Sequence, residues 1–382
     1  MKSEKSRVCG YLRRLRLVCA FTAGLGVIAG SSPGVAQTVV DPDAIAGNAG
    51  IASQMSSFDT TVAYVVQFYP LWFTYYQSRL ASRNTNRLVG PDRISPIYHY
   101  VVAINVDTLY ASSYLNLSDQ PVILTIPTTP PVPSSSYSIL MLDPYGDLLP
   151  ASASIPKTPG SYALIGPGGN AGLLPAGVTP IMLPLDFSTL IFRVDKFDGD
   201  QDQSKQADAF RRSLTTQTLS DYVDNPSGGT MTKIVPEVFF AVPFKTTADD
   251  LIAHDPIAFL RQLQRAVESD KTPPPTPYEQ ALRNRFNSLF ANRNMDGSEF
   301  SDGAQAAHKL ILDRYLTHTD WAPPTPTNWI HFTNIGDWGN QVVERSSITE
   351  FIQYANDKTA AAYYHIFKDA NGHPLDGSNP RG

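Results

Sequence analysis

Apolar residues recur at mixed three- and four-residue spacing across residues 58–80 (FDTTVAYVVQFYPLWFTYYQSRL), the period of a helix face. They fall on nearly every side, so the spacing predicts a mostly buried helix. Pro70 lies inside it, and a proline without an N–H predicts an interruption there. After residue 101 the pattern changes. Short apolar and β-branched runs at 121–126, 137–142, 161–165, 179–183, 188–194 and 237–244 sit between prolines and other turn residues. Several short strands with frequent turn signals predict a sandwich, not a βαβ array. Helical patterning returns from about residue 246. Asp255-Pro256 reads as the N-cap and first residue of a helix through Val267. Thr276-Pro277-Tyr278-Glu279 reads as a capping box that starts a helix to about Asn292. Residues 304–316 and 340–367 predict two further helical stretches. The predicted class is α+β: a central antiparallel β-sandwich over residues 101–245, an N-terminal helical segment over 37–100, and a C-terminal helical region over 246–382.

The first 36 residues follow another logic. Lys2, Lys5, Arg7, Arg13, Arg14 and Arg16 make a basic start, and residues 17–30 (LVCAFTAGLGVIAG) are apolar and uncharged. Gly34-Val35-Ala36 then supplies small residues where a signal peptidase reads them. This three-part order predicts a signal peptide cut after Ala36 and a periplasmic or secreted protein. The apolar run is shorter than the ~20 residues a spanning helix needs, and no later stretch approaches that length, so an integral membrane protein is not expected.

Cleavage would change the chemistry available. Both cysteines, Cys9 and Cys19, lie in the leader, so the mature chain would have no thiolate for catalysis, disulfides or metal binding. Removing six basic residues and one acid from the 30 and 35 of the whole chain leaves 24 and 34, a net charge of −10. An acidic surface disfavours nucleic acid and anionic membranes. Prolines concentrate locally: residues 121–185 hold 13 of the 31, with only Asp143, Asp147 and Lys157 as charges. Proline's missing N–H confines it to strand starts, edges and loops, which fits a β-zone there.

Recognisable catalytic motifs are missing. Beyond the leader, whose residues 30–34 read GSSPG, the chain has no Gly-x-Ser-x-Gly elbow, and it has no phosphate loop or His-Glu-x-x-His helix. Residues 166–171 (GPGGNA) imitate a dinucleotide loop, but Pro175 follows where a helix must start. Asp198, Asp200 and Asp202 group as in a calcium loop; the glycine is misplaced and position twelve is Ala209, so an acidic solvated turn is expected. The seven histidines are scattered, without an i, i+4 pair, and spacing assigns neither a metal nor a cofactor.

The most distinctive stretch runs from His99 to Tyr110 (HYVVAINVDTLY). Asn105, Asp107 and Thr108 are short polar residues between apolar runs, and such residues commonly close turns on nearby backbone. The functional alternative has Asp107 and His99 facing a pocket and exchanging protons, with Tyr110 or Arg193 holding an oxyanion.

Residues 105–112 (NVDTLYAS) resemble the Asn-x-Asp-Thr-Leu-Tyr-Ser signature of the bacterial family called domain of unknown function 1254, or DUF1254. Residues 115–118 with 121–124, Tyr137-Ser138 with 142–145 (LDPY), and 162–168 (YALIGPG) resemble its following strands and turn. Arg193 falls where the family tends to carry an arginine, and residues 336–339 (GDWG), Arg345 and Tyr363-Tyr364 resemble its helical part. Residues 369–377 (DANGHPLDG) resemble the start of a partner domain, DUF1214, so the expectation is a chain truncated there. One departure is that residues 151–157 (ASASIPK) lack the family's Gly-x-Arg element.

The resemblance implies a β-sandwich with helices and an exported protein, and no established reaction. The leading expectation is a module that binds a small molecule or a cell-envelope component, with Asn105, Asp107, Tyr145 and Arg193 as ligand-binding candidates. The alternatives are a metal-independent hydrolase using His99, Asp107 and Tyr110, and an envelope interaction or structural protein. Self-association through a helical face left bare is expected as well.

Overall fold

Helix α1, Ser57–Leu80, forms the axis of the helical half. Ser56 caps it by accepting from the Asp59 N–H, and every position from Thr60 to Thr74 is buried. A helix that is apolar on all sides must be surrounded, and this one is. Around it pack α3 (Phe244–His254), α4 (Pro256–Val267), α5 (Pro277–Phe290), α6 (Gly297–Thr317) and α7 (Val342–Phe351). Tyr64 stacks on Phe286 of α5 at 3.9 Å between ring centres. Trp72 lies against Phe73 and against Phe259 of α4. Fully burying each such side chain stabilises by roughly 1.5–3 kcal/mol. Where α6 crosses α1, Gly303 has no room for a side chain: a Cβ there would sit 2.8 Å from the Cβ of Thr61.

The chain passes through Pro70 without a break, contrary to the predicted interruption. The reason is non-local. Proline cannot supply the N–H that the carbonyl of Val66 expects, and Ser346 of α7 supplies a donor instead, its hydroxyl 2.6 Å from that oxygen. Beside it Arg345 donates to the carbonyl of Gln67 at 2.8 Å. A buried carbonyl without a partner is costly, so α7 makes the continuous helix tenable.

The β half has two sheets. Its strands are β1 (Val89–Pro91), β2 (Thr108–Asn116), β3 (Val122–Ile126), β4 (Tyr137–Leu142), β5 (Gly160–Ile165), β6 (Val178–Met182), β7 (Phe187–Asp195), β8 (Thr215–Thr218), β9 (Thr230–Met231) and β10 (Lys233–Val235). One sheet has the order β10-β1-β2-β7-β4 and the other β6-β5-β3-β8-β9. Both are antiparallel at the centre, but β1–β10 and β5–β6 pair in parallel, so the sheets are mixed. Side chains alternate along a strand. Leu109, Ala111 and Leu115 of β2 and Leu190, Phe192 and Val194 of β7 therefore share one core with Val122, Leu124 and Leu164 of the other sheet. The opposite face of the first sheet carries Tyr110, Tyr114, Ile191 and Arg193, which meet the helical half.

This computed structural model describes residues 39–94, 107–239, 242–292, 297–317, 329–331 and 335–356, with 361, 363–366, 368–369, 371–373 and 375. Among the described residues no helix is long and apolar enough to cross a membrane. The proposed leader, His99 and Asn105 lie outside the described residues.

Several elements depart from expectation. Where a strand is expected from residue 237, Glu237–Phe239 is a 3-10 turn, and α3 starts at Phe244. The Glu237 N–H donates to the Asp92 carboxylate at 2.9 Å, so it has no ladder to join. The helix expected over 340–367 ends at Phe351. Tyr364–Ile366 forms β12, paired with β11 (Trp329–His331). A helix, α2 (Gln201–Ser213), lies inside the expected β-zone, while β1 lies in the stretch expected to be helical. The acidic turn before α2 has a local task, because Asp200 caps the helix by accepting from the N–H groups of Asp202 and Gln203.

Candidate functional site

Strand register brings together two of the singled-out residues. Tyr110 of β2 and Arg193 of β7 are direct cross-strand partners, so their side chains leave the same face of the sheet. The Arg193 guanidinium lies 5.7 Å from the centre of the Tyr110 ring. Its Nη1 donates to the hydroxyl of Tyr363 and its Nη2 to the carbonyl of Tyr354, both at 3.0 Å. Its Nε is buried and makes no hydrogen bond. Among the described residues no carboxylate lies within ion-pair distance of this half-buried cation. Next to it, the hydroxyls of Tyr114 and Tyr354 are 3.1 Å apart and both donate to Gln77 Oε1 of α1 at 3.0 Å. The result is a guanidinium on a platform of tyrosines, held where the sheet meets the helices.

Tyr145 sits elsewhere. It follows β4 in a turn closed by Asp143, whose Oδ1 accepts from the N–H groups of Tyr145 (2.8 Å) and Asp147 (2.9 Å). The ring points into the helical core, and its hydroxyl donates to Glu279 Oε1 at 2.6 Å. Gln67 of α1 donates to the same oxygen at 3.0 Å, and the Thr276 N–H donates to Glu279 Oε2 at 2.8 Å. The Arg345 guanidinium lies 4.5 Å from the centre of the Tyr145 ring and 3.7 Å from Asp147 Oδ2. Burial pushes the Glu279 carboxyl up, but these donors outweigh it and hold the group below its ordinary range. Burial together with the charges of Asp147 pushes Asp143 up to about 7. Tyr145 thus belongs to an internal junction between the β4 turn and helices α1, α5 and α7.

Asp107 stands in the turn before β2, exposed, and its carbonyl accepts from the Lys196 N–H at 3.0 Å, closing the end of the β2–β7 ladder. The structure therefore joins Tyr110 with Arg193 and places Tyr145 and Asp107 apart from them.

Sequence reasoning missed a third constellation, Lys245, Asp249, His308 and Glu350. Lys245 and Asp249 are four residues apart, a spacing that signals a shared helix face. His308 and Glu350 come from two other helices, and no local pattern links them.

No curated protein matches the chain. The crystal structure of the VPA0106 protein from Vibrio parahaemolyticus is similar with a TM-score of 0.46 at 17% identity, over 85% of this chain and 74% of that one. The segment from residue 84 to residue 218, which runs from before β1 through β8 and holds Tyr110, Tyr145 and Arg193, matches the model of the family described as protein of unknown function (DUF1254).

Proposed function

We propose that this is an exported protein that binds a small anionic ligand, a carboxylate above all, at the Arg193 platform. The observation that carries the reading is the half-buried guanidinium with a buried, unpartnered Nε and no carboxylate beside it among the described residues. Burying a charge without a counter-charge is unfavourable, and an anion that accepts from the guanidinium offsets that cost. The flanking rings of Tyr110, Tyr114, Tyr354 and Tyr363 supply apolar faces and hydroxyls, the mixture that orients small ligands. A free metabolite and a carboxylate-bearing component of the cell envelope share this chemistry. Export rests on the basic, apolar and small-residue order of residues 1–36.

Thermal-shift and calorimetric titration against mono- and dicarboxylates, with neutral amides of the same shape as controls, tests the reading. Carboxylates are expected to raise the melting temperature and the amides to leave it unchanged. Arg193→Met keeps the apolar stem and removes the charge. A charged hydrogen bond contributes about 1.5–3 kcal/mol, so the variant is expected to bind roughly 10- to 150-fold more weakly. Equal affinity in Arg193→Met, or equal response to the amides, refutes the site. Mass determination of the protein recovered from the periplasm checks the cut after Ala36.

A further inference from the structure

Four helices converge on one partly buried polar cluster away from the Arg193 platform. Lys245 and Asp249 project from α3, His308 from α6, Glu350 from α7, and Tyr69 from α1. Three ligand-type atoms, one each from Asp249, His308 and Glu350, lie within 4.8 Å of one another. Glu350 is fully buried. Its Oε2 accepts from the Tyr69 hydroxyl at 2.6 Å, which fixes the carboxylate and leaves Oε1 turned toward the cluster. Asp249 Oδ1 and His308 Nε2, both buried atoms, contact each other at 3.1 Å. Glu350 Oε1 touches the Lys245 ammonium. Lys245 also donates to Asp249 Oδ2 at 2.8 Å.

Two carboxylates facing each other in a partly buried site require positive charge between them. The ammonium at this spot, that of Lys245, sits on a flexible four-carbon stem with a side-chain exposure of 28%. Asp249, on the same side, is 33% exposed. An ordinary ion pair needs one carboxylate for one ammonium. It does not by itself call for a second acid and for an imidazole whose Nε2 faces the same spot, 3.1 Å from Asp249 Oδ1.

We propose that Asp249, His308 and Glu350 form a binding site for a first-row divalent cation, Zn²⁺ being the probe of choice, and that Lys245 competes with the metal for the two carboxylates. One imidazole nitrogen and two carboxylate oxygens are ligands suited to zinc and its neighbours. Three protein ligands also leave a coordination position open on the side where the half-buried Asp249 borders solvent. Tyr69 serves as the outer hydrogen-bond partner that orients Glu350, as such partners do around metal carboxylates. The proposal involves none of the residues of the Arg193 platform, so either can fail without the other.

The test is titration of the chelator-treated full chain with Zn²⁺ by calorimetry, and with Co²⁺ by visible absorption, which reports nitrogen and oxygen ligation directly. One saturable site per chain is expected. His308→Ala and Asp249→Asn should weaken it at least tenfold. Lys245→Met removes the competitor and should tighten it by tenfold or more, an outcome that a structural ion-pair cluster does not produce. Circular dichroism verifies that each variant is folded. If His308→Ala fails to fold, protection of His308 in the wild-type chain from diethyl pyrocarbonate by Co²⁺, mapped by peptide mass spectrometry, replaces it. Absence of a saturable site, unchanged affinity in the ligand variants, weaker binding in Lys245→Met, or no protection of His308 overturns the proposal.

Discussion

Ser346→Ala removes one hydroxyl and tests how α1 survives its internal proline. Ser346 is fully buried, and its oxygen is 2.6 Å from the Val66 carbonyl that Pro70 leaves without a helical donor. Truncation strands that carbonyl in the core. An unsatisfied buried acceptor costs about 1–3 kcal/mol. In a Pro70→Ala background the N–H of the new residue lies four positions after Val66 and closes the ordinary helical bond. Ser346→Ala should then cost only a few tenths of a kcal/mol. Urea unfolding of the four proteins in this double-mutant cycle is therefore expected to show a coupling energy of about 1–2 kcal/mol. With a denaturant slope near the upper end of about 1–3 kcal/mol/M, the midpoint of the single variant should fall by roughly half a molar. Equal losses in the two backgrounds refute the reasoning, because they mean that Ser346 contributes independently of the missing N–H.

Asp143 makes stability depend on pH. Its carboxyl is pushed from 3.8 up to about 7, first by burial and then by the charge of Asp147. The native state therefore holds this proton more tightly than the unfolded chain. The resulting stability is full below about pH 4 and is lost as pH rises through about 7. Asp143→Asn keeps an acceptor for the Tyr145 and Asp147 N–H groups, so melting between pH 4 and pH 8 should show a flatter profile; an unchanged slope rules the assignment out. Gly90→Ala tests the close approach of β1 and β2. The added Cβ would lie 2.0 Å from the carbonyl oxygen of Tyr110, which is backbone and cannot swing away. A loss of about 1–3 kcal/mol, typical of overpacking, is expected in chemical denaturation, and a loss within a few tenths of a kcal/mol contradicts the packing described.

Local signals in the sequence correspond to structure where the physics is local. The capping box at Thr276 and Glu279 forms as expected, because its partners are three residues apart. The strands at 137–142, 161–165 and 188–194 agree with β4, β5 and β7 to within one residue, since short apolar runs between prolines and other turn residues mark them. The same reasoning could not see that Glu279 also accepts from Tyr145 and Gln67, 134 and 212 residues away. Residues 340–367 look helical by composition, but Gln353 adopts a left-handed φ of 65° after α7 and β12 finds its partner in β11.

The candidate sites divide along the same line. Tyr110 and Arg193 are noticeable in one dimension, and antiparallel register alone makes them neighbours. Asp249, His308 and Glu350 carry no local mark at all, because each comes from a different helix and only helix packing brings their ligand atoms together. By itself the sequence determined the α+β class, the capped starts of α4 and α5, and the core strands, all consequences of spacing between near neighbours. The tertiary structure alone decided that α1 runs unbroken through Pro70, that Tyr145 is an internal hydrogen-bonding residue, and where unpaired charge collects. Those outcomes depend on donors, acceptors and counter-charges that meet only after distant segments have packed.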